Sequence, residues 1–312
     1  PMTSSTTEQL PVDASPGQRL LAALLRTALK TALRPAFQAG VPVARQRERL
    51  LAVARLTLPP RAARFEQGTC GGVPGEWVAG HGAAAPRSIL YLHGGAYCVG
   101  SPRTHRVITG QLALRAESVV FCADYRLAPE HPFPASIDDA VAAYRGLLAL
   151  GRAPADITIA GDSAGGGLAF ATALRLRELG IALPGALVAF SPWVDLDDRP
   201  RPAPAAGDVM IAPAWVAECA RLYLAGASVD DPLASPVHAD LHGLPRTLIQ
   251  VGTDEVLLDD SRRMHARLIG AGVDSRLEEY PRRWHVFQAS AGLLADANRA
   301  LARVAQFLRD AG

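Results

Sequence analysis

Short apolar runs alternate with longer stretches of helical character from about Phe65 to the C-terminus. Residues 157–160 and 247–251 are short and aliphatic, as in buried strands, whereas the stretch that begins near Gly165 is longer and rich in Ala and Leu, as in a helix. Parallel strands need long crossover connections, which are usually helices. The pattern therefore predicts the α/β class, with a mostly parallel sheet flanked by helices on both faces.

Two regions interrupt this alternation and divide the chain. Residues 1–60 have a helical, amphipathic pattern, with leucines at helical spacing between positions 21 and 33. Residues 196–236 begin with a Pro-rich stretch at 199–204 and continue with a helix-like pattern. We therefore predict one α/β domain made of residues 61–195 and 237–312, preceded by a helical segment and interrupted by an insertion.

Composition limits the partners that we expect. The 312 residues are 49% hydrophobic, enough for one large core, and the net charge of +2 comes from charges that look well mixed, so we predict no nucleic-acid partner. Arg26 and Lys30 interrupt the N-terminal leucines, so we expect that helix to pack on the domain, with no stable membrane insertion. The polar start does not resemble a signal peptide, which predicts a cytoplasmic protein. The four cysteines lack metal-ligand spacing, so we expect free thiols, no metal and no cofactor.

Ser163 lies in the sequence Gly-Asp-Ser-Ala-Gly between a predicted strand and a predicted helix. This G-x-S-x-G arrangement is typical of the nucleophile elbow of serine hydrolases, in which a tight turn exposes the serine hydroxyl. The flanking glycines, Gly161 and Gly165, remove side chains that would collide in such a turn. Ser163 is therefore the candidate nucleophile.

A Gly-Gly pair follows the apolar run at 88–92 and the residue His93. Acyl transfer passes through an oxyanion, which backbone N–H donors aimed at one point can stabilise. We predict that the N–H groups of Gly94, Gly95 and Ala164 form this oxyanion hole.

A serine nucleophile also needs a base, and the base needs a carboxylate to orient it. Asp254 and His285 each follow a predicted strand, which gives the chain order Ser, Asp, His of α/β-hydrolases. We predict that Asp254 orients His285. The competing residues are the acids Glu255, Asp259 and Asp260 and the histidines His238, His242 and His265.

Several longer motifs occur in a fixed order and carry a family resemblance. They are HGGAYCVGS (93–101), DYRLAPEHPFPA (124–135), GDSAGG (161–166), SPWVDL (191–196), GTDEVLLDD (252–260) and WHVF (284–287). Together they resemble the hormone-sensitive-lipase-like esterases, whose bacterial branch is called family IV carboxylesterases. The resemblance runs from about Gly71 to the C-terminus. The sequence departs from the family at Ala96, where a third glycine is common, and at Val286, where a glycine often follows the histidine.

The resemblance implies an α/β-hydrolase fold with a small helical cap, built from residues 1–60 and 196–236. It also implies a carboxylesterase that acts on small-molecule esters with short- to medium-chain acyl groups, and a possible homodimer. Side chains that we expect in the pocket walls are Tyr97, Val194, Met210, Ile211, Trp215 and Phe287.

Other functions would use the same residues. A lactone hydrolase or an acetyl-hydrolase could employ the same triad. Plant gibberellin receptors resemble this family but bind a ligand without catalysis, and they lack a complete triad. Plant hydroxyisoflavanone dehydratases, which are carbon–oxygen lyases, resemble it as well.

Overall fold

The computed structural model describes residues 6–80, 87–197 and 207–310. These residues contain a nine-stranded sheet in the order β1-β9-β8-β7-β6-β4-β5-β3-β2. The strands are β1 (Thr6–Gln9), β2 (Ala63–Cys70), β3 (Val73–Gly80), β4 (Arg87–Leu92), β5 (Ser118–Ala123), β6 (Ile157–Asp162), β7 (Ala186–Phe190), β8 (Thr247–Gly252) and β9 (Ser275–Tyr280).

The sheet is parallel except at one edge, where β3 pairs antiparallel with both β2 and β5. Its central strands β6, β7 and β8 are buried along their whole length, because helices cover both faces. The helices are α1 (Pro16–Ala32), α2 (Val43–Ala54), α3 (Arg106–Arg115), α4 (Ala135–Ala149), α5 (Ala164–Glu178), α6 (Pro213–Leu224), α7 (Leu258–Gly270) and α8 (Ala295–Arg309). None of these described helices has the length and apolar character needed to cross a membrane.

The carboxyl ends of the parallel strands position the candidate chemistry. Leu92 at the end of β4 pairs with Gly161 near the end of β6, and the last residue of β6, Asp162, pairs with Phe190 of β7. The loops after β4, β6, β7 and β8 therefore meet at one edge of the sheet, where α/β folds bind their ligands.

The sequence pattern predicted a helical N-terminal segment, but part of this segment is a strand. Residues 6–9 form β1, a strand with exposed side chains that pairs parallel with β9 through its backbone. Strand pairing of this kind leaves little trace in hydrophobicity, because all four side chains face solvent.

Helices α1 and α2 follow β1 and pack beside α6 of the insertion. The indole Nε1 of Trp215 on α6 donates a hydrogen bond to Gln46 Oε1 on α2 at 2.7 Å, and the ring of Phe37, between α1 and α2, stacks on Trp215 at 4.7 Å. The N-terminal segment and the insertion thus contact each other. The Pro-rich stretch 199–204 lies outside the described residues.

Candidate active site

Ser163 occupies a strained turn between β6 and α5. Its φ of 53° and ψ of −123° are unusual for a residue with a side chain. A side chain at Gly165 would collide with the backbone oxygen of Leu92 at the end of β4, so only glycine permits this close approach. The strain and the tight packing expose the Ser163 hydroxyl to a cavity that His285 also lines.

His285 is held by a buried carboxylate. Its Nδ1 lies 2.9 Å from Oε1 of Glu255, and both side chains are almost fully buried. An ionised carboxylate can only accept a hydrogen bond, so Nδ1 carries the proton and Nε2 has a free lone pair. His285 is thus oriented as a base that faces the cavity.

The prediction that Asp254 orients the histidine is wrong. Asp254 Oδ2 lies 2.8 Å from the guanidinium of Arg26 on α1, so its side chain turns away from the imidazole. The two carboxylates are adjacent in the bend after β8 but bind different partners. Glu255 points into the site and Asp254 points toward α1.

Two further donors fix the second oxygen of Glu255. Oε2 accepts hydrogen bonds from the Ser191 hydroxyl at 2.7 Å and from the Gly252 N–H at 3.0 Å. Ser191 Oγ also accepts a hydrogen bond from Val286 N–H at 3.2 Å, so one hydroxyl connects the acid to the histidine loop. Ser191 lies in the SPWVDL motif, but the sequence alone assigned it no role.

Charge around His285 favours its protonated form. Burial acts to lower the pKa of His285, whereas the Glu255 carboxylate and its hydrogen bond raise it, with smaller contributions from Asp208 and Asp162. The net result is a pKa above the ordinary value of 6.5. Such an imidazole accepts a proton readily, as a general base must.

Gly94 does not serve the predicted oxyanion role in this structure. Its N–H donates a hydrogen bond to Oδ1 of Asp162 at 3.1 Å, so it is not directed at the cavity. Asp162 also accepts hydrogen bonds from the Tyr91 hydroxyl at 2.7 Å and from His105 Nε2 at 3.3 Å. Burial acts to raise the pKa of Asp162, but His105, the Tyr91 hydrogen bond and His93 together outweigh it, so the pKa is lowered. This buried carboxylate anchors the glycine loop.

The other two predicted oxyanion donors, Gly95 and Ala164, remain available, and so does Ala96. Among the described residues, no acceptor binds the N–H groups of Gly95, Ala96 or Ala164. Gly95 and Ala96 line the cavity beside Ser163, and both have positive φ, 124° and 51°. Ala96 therefore takes the place of Gly94 in the predicted set of oxyanion donors.

The cavity that Ser163 and His285 share measures about 500 Å³ and is mostly apolar. Helices α1 and α2 and the residues that follow each of them supply much of its wall. The residues from these segments are Leu25, Ala28, Leu29, Ala32, Leu33, Phe37, Leu50, Val53, Ala54, Leu56, Thr57 and Leu58. A volume of this size suits a small organic molecule rather than a polymer.

Three of the six predicted wall residues border this cavity, namely Met210, Ile211 and Trp215. Tyr97, Val194 and Phe287 do not, which corrects the prediction for them. Tyr97 stacks on Tyr223 at 3.8 Å, Val194 is fully buried in the core, and Phe287 packs against Tyr280 at 4.7 Å.

Of the competing residues, Glu255 lies in the site and the others lie elsewhere. His265 Nδ1 pairs with the hydroxyl of Ser275 at 2.8 Å, His238 approaches Asp195, and His242 is exposed beside Asp240. Asp259 and Asp260 begin α7. In the described ranges, no cluster of His, Cys, Asp and Glu could hold a metal ion.

Comparison with known proteins agrees with this fold. The family model of the alpha/beta hydrolase fold matches residues 89–289. An acetyl-hydrolase of Streptomyces hygroscopicus is 43% identical over 245 residues, which cover 78% of this chain and 82% of that protein. An esterase of Acinetobacter venetianus is 38% identical over 76% of this chain and 78% of its own.

Solved structures give the same result. The crystal structure of an esterase from the bacterial hormone-sensitive lipase family superposes with a TM-score of 0.87 at 40% identity. The match covers 96% of this chain and 99% of that one.

Proposed function

The chain belongs to the α/β-hydrolase family of bacterial hormone-sensitive-lipase-like esterases, and we propose that it hydrolyses short- to medium-chain acyl esters through Ser163, His285 and Glu255. The observation that carries this proposal is the buried hydrogen bond of 2.9 Å between His285 and Glu255. It fixes the imidazole tautomer that a serine hydrolase requires, beside a cavity that the strained serine also faces.

The mechanism is acyl transfer to water. His285 Nε2 takes the proton of Ser163 Oγ as that oxygen attacks the ester carbonyl carbon, and Glu255 stabilises the imidazolium that forms. The N–H groups of Gly95, Ala96 and Ala164 stabilise the oxyanion. The imidazolium then protonates the leaving alcohol, and the same base activates the water that releases the acid from Ser163.

The cap helices would shape the acyl site. The apolar side chains of α1 and α2 line the part of the cavity that an acyl chain could fill, and apolar walls favour hydrocarbon over polar groups. The α1, α2 and α6 segments, which contact one another, are the cap in this proposal.

Covalent labelling tests the nucleophile. A fluorophosphonate should modify wild-type protein at Ser163 and should fail to modify Ser163→Ala, which should also lack esterase activity. His285→Gln should slow labelling strongly, because the hydroxyl loses its base. Labelling of wild type at another residue, or equal labelling of His285→Gln, would contradict the proposal. A receptor without catalysis should resist the reagent.

Acyl-chain length tests the substrate class. We expect p-nitrophenyl esters from acetate to about octanoate to be hydrolysed faster than the palmitate, because a cavity of about 500 Å³ can enclose a short acyl chain with its leaving group but not the whole palmitate ester. Preference for palmitate would contradict this. The similarity to the Streptomyces acetyl-hydrolase supports a second candidate, an acetyl-specific enzyme, for which activity would fall steeply from acetate to butyrate.

A further inference from the structure

Positive charge is concentrated in the cap helices. The segment 14–61 contains nine basic residues and a single acid, Glu48, which gives it a formal charge of +8. The whole chain has a formal charge of only +2, so the remaining residues carry −6. The expectation of evenly mixed charges is therefore wrong. The segment 14–61 is basic, and the rest of the chain is acidic.

Most of these basic side chains are exposed and unpaired. Arg26 pairs with Asp254 and Arg47 pairs with Glu130. The others make no ion pair with a described acid, and six of them are exposed: Arg19, Lys30, Arg45, Arg49, Arg55 and Arg61. Their charge is directed into solvent, where it acts on a partner of opposite sign.

Large apolar side chains are exposed among these charges. Leu20 and Leu24 lie one turn apart on the same side of α1, and they are 64% and 59% exposed. Leu56 and Leu58, which follow α2, are 81% and 78% exposed. Exposed leucines flanked by basic residues are the composition of helices that bind at a membrane interface.

Two of these leucines border the catalytic cavity. Leu56 and Leu58 line its mouth, as does Ala28, which continues the row of Leu20 and Leu24 one turn further along α1. The exposed residues Leu20, Leu24, Leu56 and Leu58 of the cap, with the exposed Lys30 and Arg55 of the same segments, are called the basic cap face below. It joins an apolar cavity to solvent through an apolar rim.

The geometry points to a docking surface for an anionic phospholipid bilayer at the basic cap face. Anionic headgroups match the unpaired guanidinium and ammonium groups, and the leucines can enter the interfacial region without spanning the membrane. The cavity mouth would then face the lipid, so that an apolar ester could enter Ser163's cavity from the bilayer. A second copy fits this face less well, because two such faces would repel each other.

Vesicle binding tests the surface independently of catalysis. The probe is ether-linked phosphatidylcholine vesicles with or without about one third ether-linked phosphatidylglycerol, because ether lipids cannot be hydrolysed. Wild-type protein should sediment with the anionic vesicles only, and a rise in salt should release it because salt screens exposed charges. Lys30→Glu with Arg55→Glu should lower the partition coefficient by at least roughly 30-fold, since each basic residue contributes about fivefold.

A matched variant separates this face from total charge. Arg145→Glu with Arg309→Glu makes the same charge change at exposed positions on α4 and α8 and should retain binding within about threefold. Leu20→Ser with Leu24→Ser should weaken binding roughly tenfold while leaving its salt dependence. All three variants should hydrolyse soluble p-nitrophenyl acetate like wild type, which verifies their fold.

Several outcomes would overturn the inference. They are no sedimentation of wild type with anionic vesicles at low salt, equal loss of binding in the two charge variants, and a dimer in size-exclusion chromatography that only Lys30→Glu with Arg55→Glu dissociates. The last would assign the face to a second copy. Loss of the proposed esterase activity alone would leave vesicle binding intact, so failures of the two proposals are distinguishable.

Discussion

Replacing Glu255 by Gln should nearly abolish turnover because of the hydrogen bonds that surround its two oxygens. Oε2 accepts from the Gly252 N–H, a donor that cannot rotate, and from the Ser191 hydroxyl. The amide oxygen of Gln must take this place, which directs its NH₂ group at His285 Nδ1. An NH₂ group needs an acceptor, so Nδ1 loses its proton and Nε2 gains one.

That tautomer cannot take the proton of Ser163. The same change of tautomer in another serine hydrolase lowers kcat by about 10⁴-fold, and we expect a loss of that order in Glu255→Gln. KM should change little, because Glu255 is buried behind the imidazole. Initial rates with p-nitrophenyl butyrate over a range of concentrations separate the two constants.

Asp254→Asn is the matched control. It makes the same chemical change one position away but removes only the ion pair with Arg26, which is partly exposed and worth about 0–1 kcal/mol of folding free energy. Its kcat should stay within about fivefold of wild type. Near-normal turnover of Glu255→Gln, or an equal loss in Asp254→Asn, would refute the reasoning, provided that thermal unfolding shows both variants folded.

Three further predictions concern groups around the site. The acid limb of the kcat/KM pH profile should have its midpoint above 6.5, because the pKa of His285 is raised and the imidazole must be neutral to act as a base; a midpoint clearly below that value would contradict the raised pKa. Ser191→Ala removes a donor to Glu255 and an acceptor for Val286 N–H and should lower kcat by about tenfold to a hundredfold in steady-state assays, while unchanged kcat would deny it a positioning role. Gly94→Ala places a methyl group against the Asp162 carboxylate and should lower kcat by at least about a hundredfold, whereas Gly17→Ala, in open space on α1, should match wild type in the same assay.

The nucleophile turn could be predicted because its causes are local. Neighbouring residues contain all the signals, namely a buried run at 157–160, two glycines around Ser163 and an Ala-rich helix. The structure has β6, a strained serine and α5 at these positions. The alternation of strands and helices after about Phe65 followed from hydrophobic periodicity in the same way, whereas β1 did not.

The acid could not be chosen in this way. Asp254 and Glu255 are adjacent and chemically alike, and their difference lies in which side of one turn faces the imidazole. That direction depends on Gly252, Ser191 and the backbone of the histidine loop, which come from other parts of the chain. No spacing rule within the motif contains this information.

The prediction of the cavity walls failed in part for a related reason. Motif residues such as Tyr97 and Phe287 lie near the site in sequence but pack into the core, whereas the N-terminal helices, far away in sequence, line the cavity. The net charge concealed the charge asymmetry, because +2 is the sum of +8 in the segment 14–61 and −6 in the remaining residues.

The two adjacent carboxylates are held by separate sets of bonds. Asp254 ties α1 to the acid loop through Arg26, but Glu255 is held from the opposite side by Gly252 and Ser191, and Asp254 N–H bonds to the Arg283 carbonyl at 2.9 Å. The turn is thus fixed by bonds that do not involve α1. Loss of the Arg26 ion pair would therefore leave the bonds to Glu255 in place, which is why Asp254→Asn should keep the turnover that Glu255→Gln loses.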